Sequence, residues 1–305
     1  MKFDLLLDNF VAKIIDFNIN DFFENKFLQN ELKEALVKYK VIHIPKQNLT
    51  LKQEQELANI FPHVNKSGPY RKSFQKWRIP EYPHIQVQGW GNIKNHHNLK
   101  GIMKPKISSL EWHTDGIHET LHPPYLTQIY CINTPLQGGD TLFMDTSNIW
   151  EKLSDVEKHK YGNLRINYKQ IKNKMDKNGC LCLSGISNVS HSPEIDNNKL
   201  QSKNIQQPLF HKIPETNTIA MSVAPMYMSH IENYSFKESA KLIESLIKKS
   251  LNTVYCHKYQ PGDIVLFDNR QCLHSATINQ NIDINKSNRL LHRIRMDSSQ
   301  KLISL

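Results

Sequence analysis

Residues 254–267, VYCHKYQPGDIVLF, carry two short runs rich in β-branched and aromatic residues, Val254 to Tyr259 and Asp263 to Phe267, separated by Gln260-Pro261-Gly262. Proline fixes φ and glycine tolerates positive φ, so the three central residues read as a hairpin turn between two strands. The same strand signature recurs at His84 to Gln88, Tyr125 to Asn133 and Asn217 to Val223. Helical periodicity is confined to fewer places. Residues 26–38, KFLQNELKEALVK, put Phe27, Leu28, Leu32, Ala35 and Leu36 on one face and lead into a strand-like Tyr39 to Ile44 before Pro45. Thr50 with Gln53 and Ser235 with Glu238 form capping-box patterns ahead of LKQEQELANIF and FKESAKLIESLIKK. Many strands and few helices predict an α+β protein with a β-sandwich or jelly-roll core, one domain over residues 1–305, and no internal repeat. Residues 64–82 and 169–207 fall outside this pattern. Their polarity reads as surface loop, and long loops in compact domains often serve as lids.

The chain has 305 residues, with 39 Lys+Arg against 29 Asp+Glu and a formal net charge of +10. Apolar residues make up 39%, enough for a core and against wholesale disorder. No window approaches the ~18 uninterrupted apolar residues of a membrane span, because Asp4, Asp8, Lys13 and Asp16 break the oily N-terminal stretch. That stretch also lacks the charge and cleavage pattern of a secretory signal, so a cytosol-like compartment is expected. The five cysteines (Cys131, Cys180, Cys182, Cys256, Cys272) are an odd and sparse set, expected as reduced thiols; Cys180-x-Cys182 lacks the further ligands of a zinc site. The positive charge favours anionic partners. It is dispersed among Asn and Gln, with no arginine-rich tract, zinc finger or RNP-like motif to indicate nucleic acid.

The chemistry concentrates in Glu111-Trp112-His113-Thr114-Asp115-Gly116. In an extended segment residues i and i+2 share a face, so His113 and Asp115 can grip one metal ion. A two-His-one-carboxylate site for non-haem Fe(II) needs a second histidine from a distant strand, and His274, in FDNRQCLHSA (267–276), is the candidate. The following NRLLHR (288–293) supplies cations. Arg289 suits an anchor for the far carboxylate of 2-oxoglutarate, because a guanidinium donates two parallel charge-assisted hydrogen bonds and stays protonated. Arg293 and the more distant Arg295 are rivals for that place. Thr141, in Gly138-Gly139-Asp140-Thr141, adds a hydroxyl, and the two glycines also read as a tight turn.

Taken in order, these motifs resemble the TauD/TfdA (taurine dioxygenase-like) family of Fe(II)- and 2-oxoglutarate-dependent oxygenases. The resemblance runs through Lys40-Val41-Ile42-His43-Ile44-Pro45, Trp112-His113-Thr114-Asp115, Pro135 through Gly138-Gly139-Asp140-Thr141-Leu142, Pro208-Leu209, and Asp268-Asn269-Arg270 through His274 to Arg289 and Arg293. It implies a double-stranded β-helix with flanking helices and a lid-like insertion, with Fe(II), 2-oxoglutarate and O2 as cofactor and co-substrates. It places iron on His113, Asp115 and His274, 2-oxoglutarate on Arg289 and Thr141, and an anionic group of the substrate on Arg293. Asp115 stands where related halogenases carry a small residue, so halogenation is not implied. The implied reaction is oxidation of an unactivated C–H by hydroxylation, desaturation or ring closure (kainoid-synthase-type cyclisation among them), with release of succinate and CO2. Tyr70, Arg71, Arg78, Trp90, His118 and Glu119 are further candidates to line the substrate pocket. Two rival readings are a nucleic-acid-modifying oxygenase, resting on the net charge alone, and a non-enzymatic jelly-roll binding protein.

Overall fold

The computed structural model describes residues 1–7, 9–62, 76–103, 111–135, 137–168, 205–277 and 288–305. The first elements in the chain are β1 (Phe3–Leu7), β2 (Val11–Ile14), α1 (Ile19–Glu24), α2 (Lys26–Tyr39), β3 (Val41–Ile44) and α3 (Leu51–Asn59). There follow β4 (Arg78–Ile79), β5 (Tyr82–His96), β6 (Leu99–Met103), β7 (Pro124–Asn133), β8 (Thr141–Asp145), α4 (Ser147–Glu151), α5 (Asp155–Tyr161) and β9 (Arg165–Tyr168). The last are β10 (Ile205–Pro208), β11 (Phe210–Lys212), β12 (Ile219–Met221), β13 (His230–Ile231), α6 (Phe236–Lys248), β14 (Val254–His257), β15 (Ile264–Asp268), β16 (Cys272–Ala276) and β17 (Arg289–Asp297). The expected capping boxes form at Thr50/Gln53 and Ser235/Glu238, and a third, Ser154/Glu157, starts α5. No helix among the described residues is long and apolar enough to cross a membrane.

The main sheet runs β1-β2-β3-β15-β7-β17-β5-β4, with β6 on β5, and a smaller sheet β14-β8-β16 faces it. Strand β15 shows why. All five of its residues are buried: Ile264 and Leu266 pack with the helices α1–α3, while Val265 and Phe267 pack with Phe143 of β8 and Cys272 of β16. A strand apolar on both faces belongs in the middle of a sheet covered on both sides. Truncating Phe267 between the two sheets would cost about 3–5 kcal/mol. This is the jelly roll anticipated from the strand count.

Two expectations need correction. The runs flanking Gln260-Pro261-Gly262 do not pair as a hairpin: β14 pairs with β8 in the small sheet, and β15 with β3 and β7 in the large one. The turn exists, with Asp263 N–H donating to Gln260 O at 3.0 Å, but it carries the chain across the core. Gly262, at φ +89°, is required there because a Cβ would meet the Gln47 carbonyl at 2.5 Å. The second correction concerns the polar stretches, whose described ends are strand: Arg78–Ile79 pairs with β5, and Ile205–Pro208 pairs with β9. The bulk of both stretches, with Cys180 and Cys182, lies outside the described residues; Cys131, Cys256 and Cys272 are free thiols. Ahead of the expected helix and strand, the opening segment forms β1 and β2, for which no element was predicted.

Candidate active site

His113 lies in the segment between β6 and β7 and forms an antiparallel bridge with His274 of β16, each N–H donating to the other's carbonyl at 3.0 Å. This exchanged pair sets the imidazoles side by side, ring centroids 4.2 Å apart. Asp115, two residues on, turns its carboxylate to within 3.9 Å of His113 Nε2 and 4.0 Å of His274 Nε2. All three ligand atoms lie within 4.8 Å of one another. Ligand atoms on a common metal ~2.1 Å away sit about 3 Å apart, so the triad needs to contract only by roughly 1 Å.

The surroundings prepare these groups as ligands. The Glu111 carbonyl lies 2.7 Å from His113 Nδ1; accepting a proton there leaves Nε2 with its lone pair toward Asp115. Burial lowers the pKa of His113 and brings that of His274 down to about 3, so both imidazoles are neutral at physiological pH. Burial opposes ionisation of Asp115, but Arg293, His274, His113 and Arg295 together outweigh it and hold the carboxyl well below its ordinary range. Its backbone is clamped by the buried Asn269: Asp115 N–H donates to Asn269 Oδ1 at 2.9 Å, and Asn269 Nδ2 donates to the Asp115 and Pro124 carbonyls at 2.9 and 2.8 Å. Two imidazoles and one carboxylate held this way fit a 2-His-1-carboxylate metal centre with open positions.

A cavity of ≈ 90 Å³ opens in front of the triad, and β17 and β5 furnish its cationic wall. Arg289, Leu291 and Arg293 alternate onto the inner face of β17, and the register sets them opposite Trp90, Gln88 and Gln86 of β5. Gly89 permits that pairing, since a Cβ there would lie 1.7 Å from the Arg289 carbonyl. Arg289 donates from Nε to Gly139 O at 2.6 Å and from Nη2 to Thr141 Oγ1 at 3.4 Å, with its guanidinium over the Trp90 and Tyr259 rings at 5.5 and 5.4 Å. Tyr259 O–H donates to the same Thr141 oxygen at 3.2 Å. Arg293 donates from Nη1 to both Asp115 oxygens, at 2.9 and 2.8 Å, and from Nη2 to Gln86 Oε1 at 2.7 Å.

The structure therefore brings together His113, Asp115, His274, Thr141, Arg289, Arg293 and Trp90, all of which line the cavity. Others stand apart. His118 stacks on Tyr227 at 3.6 Å, and Glu119 pairs with Arg295 at 3.2 Å, so neither lines the cavity. Arg78 donates to the Pro83 carbonyl and borders a smaller cleft with His84, Gln86, Arg293 and Arg295. Tyr70 and Arg71 lie outside the described residues. Gln86, Gln88, Tyr259 and Asn269 were not anticipated; the period-two spacing of Gln86, Gln88 and Trp90 was the available signal for the first two.

The family model described as "Taurine catabolism dioxygenase TauD, TfdA family" matches residues 3–295. The alpha-ketoglutarate-dependent xanthine dioxygenase xan1 of Schizosaccharomyces pombe is 23% identical, over 88% of this chain and 80% of its own. The (S)-phenoxypropionate/alpha-ketoglutarate-dioxygenase of Sphingobium herbicidovorans is 24% identical, over 81% of this chain and 79% of its own. Among solved structures, a taurine dioxygenase from Burkholderia xenovorans superposes with a TM-score of 0.73 at 18% identity, covering 100% of this chain and 94% of that one.

Proposed function

The chain belongs to the TauD/TfdA family of Fe(II)- and 2-oxoglutarate-dependent dioxygenases, and from that premise we propose that it oxidises an unactivated C–H bond of a small anionic substrate, an amino-acid-derived carboxylate or a sulfonate. Iron, 2-oxoglutarate and O2 supply the oxidising chemistry, and succinate and CO2 are released. In this reading His113, Asp115 and His274 would hold the iron at the wall of the cavity.

The observation that carries the cofactor assignment is Arg289. It is 7% exposed, and no carboxylate lies within ion-pair distance of it among the described residues. A buried cation without a counterion among the described residues is costly, which supports an incoming anion as its partner. The far carboxylate of 2-oxoglutarate fits that place, held by the guanidinium and by Thr141, with the Trp90 and Tyr259 rings walling it from water. Gly139 keeps the approach open, because a Cβ there would stand 3.0 Å from Arg289 Cδ.

The charge balance supports an anionic substrate. Around the cavity the ionised side chains are Arg289, Arg293 and Asp115. With Asp115 serving as an iron ligand and Arg289 paired to a 2-oxoglutarate carboxylate, Arg293 Nη1 would be free of its present acceptor and would face the substrate as the uncompensated cation. The named relatives act on xanthine, phenoxypropionate and taurine, so a panel of carboxylates and sulfonates with xanthine as the contrasting member selects among them.

The first test is anaerobic and needs no substrate. Fe(II) followed by 2-oxoglutarate should give a weak visible charge-transfer band that requires both additions and is lost in His113→Ala. If Fe(II) binds and no band forms, the placement of 2-oxoglutarate is wrong. Consumption of 2-oxoglutarate with xanthine, and with none of the anions, would overturn the substrate class.

A further inference from the structure

The face of β17 opposite the cavity carries a second convergence of ligands. His292 lies between Leu291 and Arg293 and points outward, toward α3, where its Nδ1 sits 2.8 and 2.9 Å from the two carboxylate oxygens of Glu54. Its Nε2 lies 2.7 Å from Nε2 of His96, the last residue of β5. His97, next in the chain and at φ +47°, completes the group, and one ring nitrogen from each histidine falls within 4.8 Å of the others. None of these residues lines the cavity.

The fold goes out of its way to assemble this group. The register pairs His292 with Val87, nine positions before His96. His96 reaches it only because the far half of β5 and β6 fold back over the outer face, where Ile93, Leu99 and Met103 join the helix-covered core. Glu54 and His292 are each 1% exposed in side chain, and among the described residues His292 is the only ion-pairing partner of Glu54. A carboxylate in that position, with no Lys or Arg at ion-pair distance among the described residues, lacks a counter-charge.

We propose that His96, His97 and His292 form a second metal site, for Zn2+ or a divalent transition ion of its class, with Glu54 orienting His292 through Nδ1. Three imidazoles with a fourth position open to solvent on the side of the exposed His97 match tetrahedral zinc, and a carboxylate hydrogen-bonded to the far nitrogen of a ligating histidine is the usual support of such a ligand. The close His96–His292 contact is the metal-free arrangement: Nδ1–H of His292 donates to Glu54, so Nε2 of His292 accepts from Nε2–H of His96. A cation takes the place of that bridging proton, with His96 then carrying its own on Nδ1. The bound ion supplies the positive charge that Glu54 lacks and pins the β5–β6 turn to β17, behind Arg293.

The test separates this site from the cavity. Metal-stripped His113→Ala, His274→Ala protein, dialysed against Zn2+ and measured by elemental analysis, should keep about one equivalent per chain. Adding His97→Ala, at an exposed position whose loss leaves the core intact, should weaken that binding at least about tenfold. A second measurement uses the wild-type chain: Co2+ titration should give about two equivalents, one with the intense visible bands of a tetrahedral ion, and His97→Ala should remove that one alone. No zinc retained by the double variant, or retention unchanged by His97→Ala, overturns the proposal.

Discussion

Two triads in this molecule contain the same three side chains. His113, Asp115 and His274 face the cavity, and His43, His257 and Asp263 meet where residues 258–263 cross between the sheets; in each, the ligand atoms fall within 4.8 Å of one another. In both, the aspartate is held below its ordinary pKa although burial opposes this, by Arg293 and the histidines in the first and by hydrogen bonds from His257, His43 and Gln260 N–H in the second. They differ in what stands in front of the donor atoms. Asp263 Oδ2 already accepts from Gln260 N–H at 2.8 Å, its oxygens lie 3.1 and 3.5 Å from the two Nε2 atoms, and Tyr255 O–H engages His257 Nδ1 at 3.1 Å. Asp115 instead gives both oxygens to Arg293, a cation that a metal can displace, and opens onto a cavity with a second arginine. Residue types and distances alone do not separate the open triad from the closed one. Free volume and the surrounding charge do.

Breaking each triad in turn should give the largest contrast. His274→Ala or His113→Ala should lower Fe(II)-dependent 2-oxoglutarate turnover by more than about 100-fold. His257→Ala should leave turnover per folded molecule within about threefold while costing about 1–3 kcal/mol of stability in urea unfolding, since it strips a partner from a buried aspartate. Equal loss of turnover in His257→Ala would erase the distinction. Arg289→Lys probes the charge around the open triad: it keeps the cation and loses the fork, so KM for 2-oxoglutarate should rise about 10–100-fold with Fe(II) affinity nearly unchanged. A parallel fall in Fe(II) affinity would show that Arg289 supports the metal and not the co-substrate.

Much of the cavity was legible because its chemistry is local in sequence. His113-x-Asp115 and the glycines before Thr141 announce themselves over a few residues, and the expectation that Arg289 anchors a carboxylate follows from what a guanidinium can do. The closed triad was illegible for the opposite reason. His43 stands far from the other two in sequence, His257 and Asp263 flank the turn without a short-period spacing, and the expected hairpin at Gln260-Pro261-Gly262 would have put β14 and β15 side by side in one sheet. A turn signal fixes that the chain reverses, not which sheet receives it; the two-sided apolar character of Ile264 to Phe267 was the clue that β15 needed neighbours on both edges. β17 was read as a cationic pattern and not as a strand, since its inward positions are arginines; their burial is supported by Asp115 and Gln86 at Arg293 and by Gly139 O and Thr141 at Arg289.

Asn269 gives a sharper and smaller test of the open triad, since it touches only the backbone around Asp115. Asn269→Ala should weaken Fe(II) binding about tenfold, with KM for 2-oxoglutarate measured at saturating iron unchanged. Unaltered Fe(II) affinity would mean that Arg293 and the His113–His274 bridge position Asp115 without help from this amide.

The smallest expected effect concerns pH. Burial lowers the pKa of His257 despite the pull of Asp263, and Asp263 is itself lowered. A histidine with a folded pKa below its unfolded ~6.5 contributes stability that is complete above that value and is lost as pH falls, because the unfolded chain then binds the extra proton. The aspartate acts in the same direction at lower pH, below its unfolded ~3.9. The closed triad should therefore loosen on acidification from about pH 6.5, with a slope of up to about 1.4 kcal/mol per pH unit from the one histidine. Urea midpoints of the metal-free protein at pH 7.5 and 5.5 should differ more for the wild type than for His257→Gln, which has no proton to gain. Identical differences in the two proteins would mean that His257 takes up no proton on unfolding in this interval, and that the closed triad is held by packing and neutral hydrogen bonds with no charge at stake.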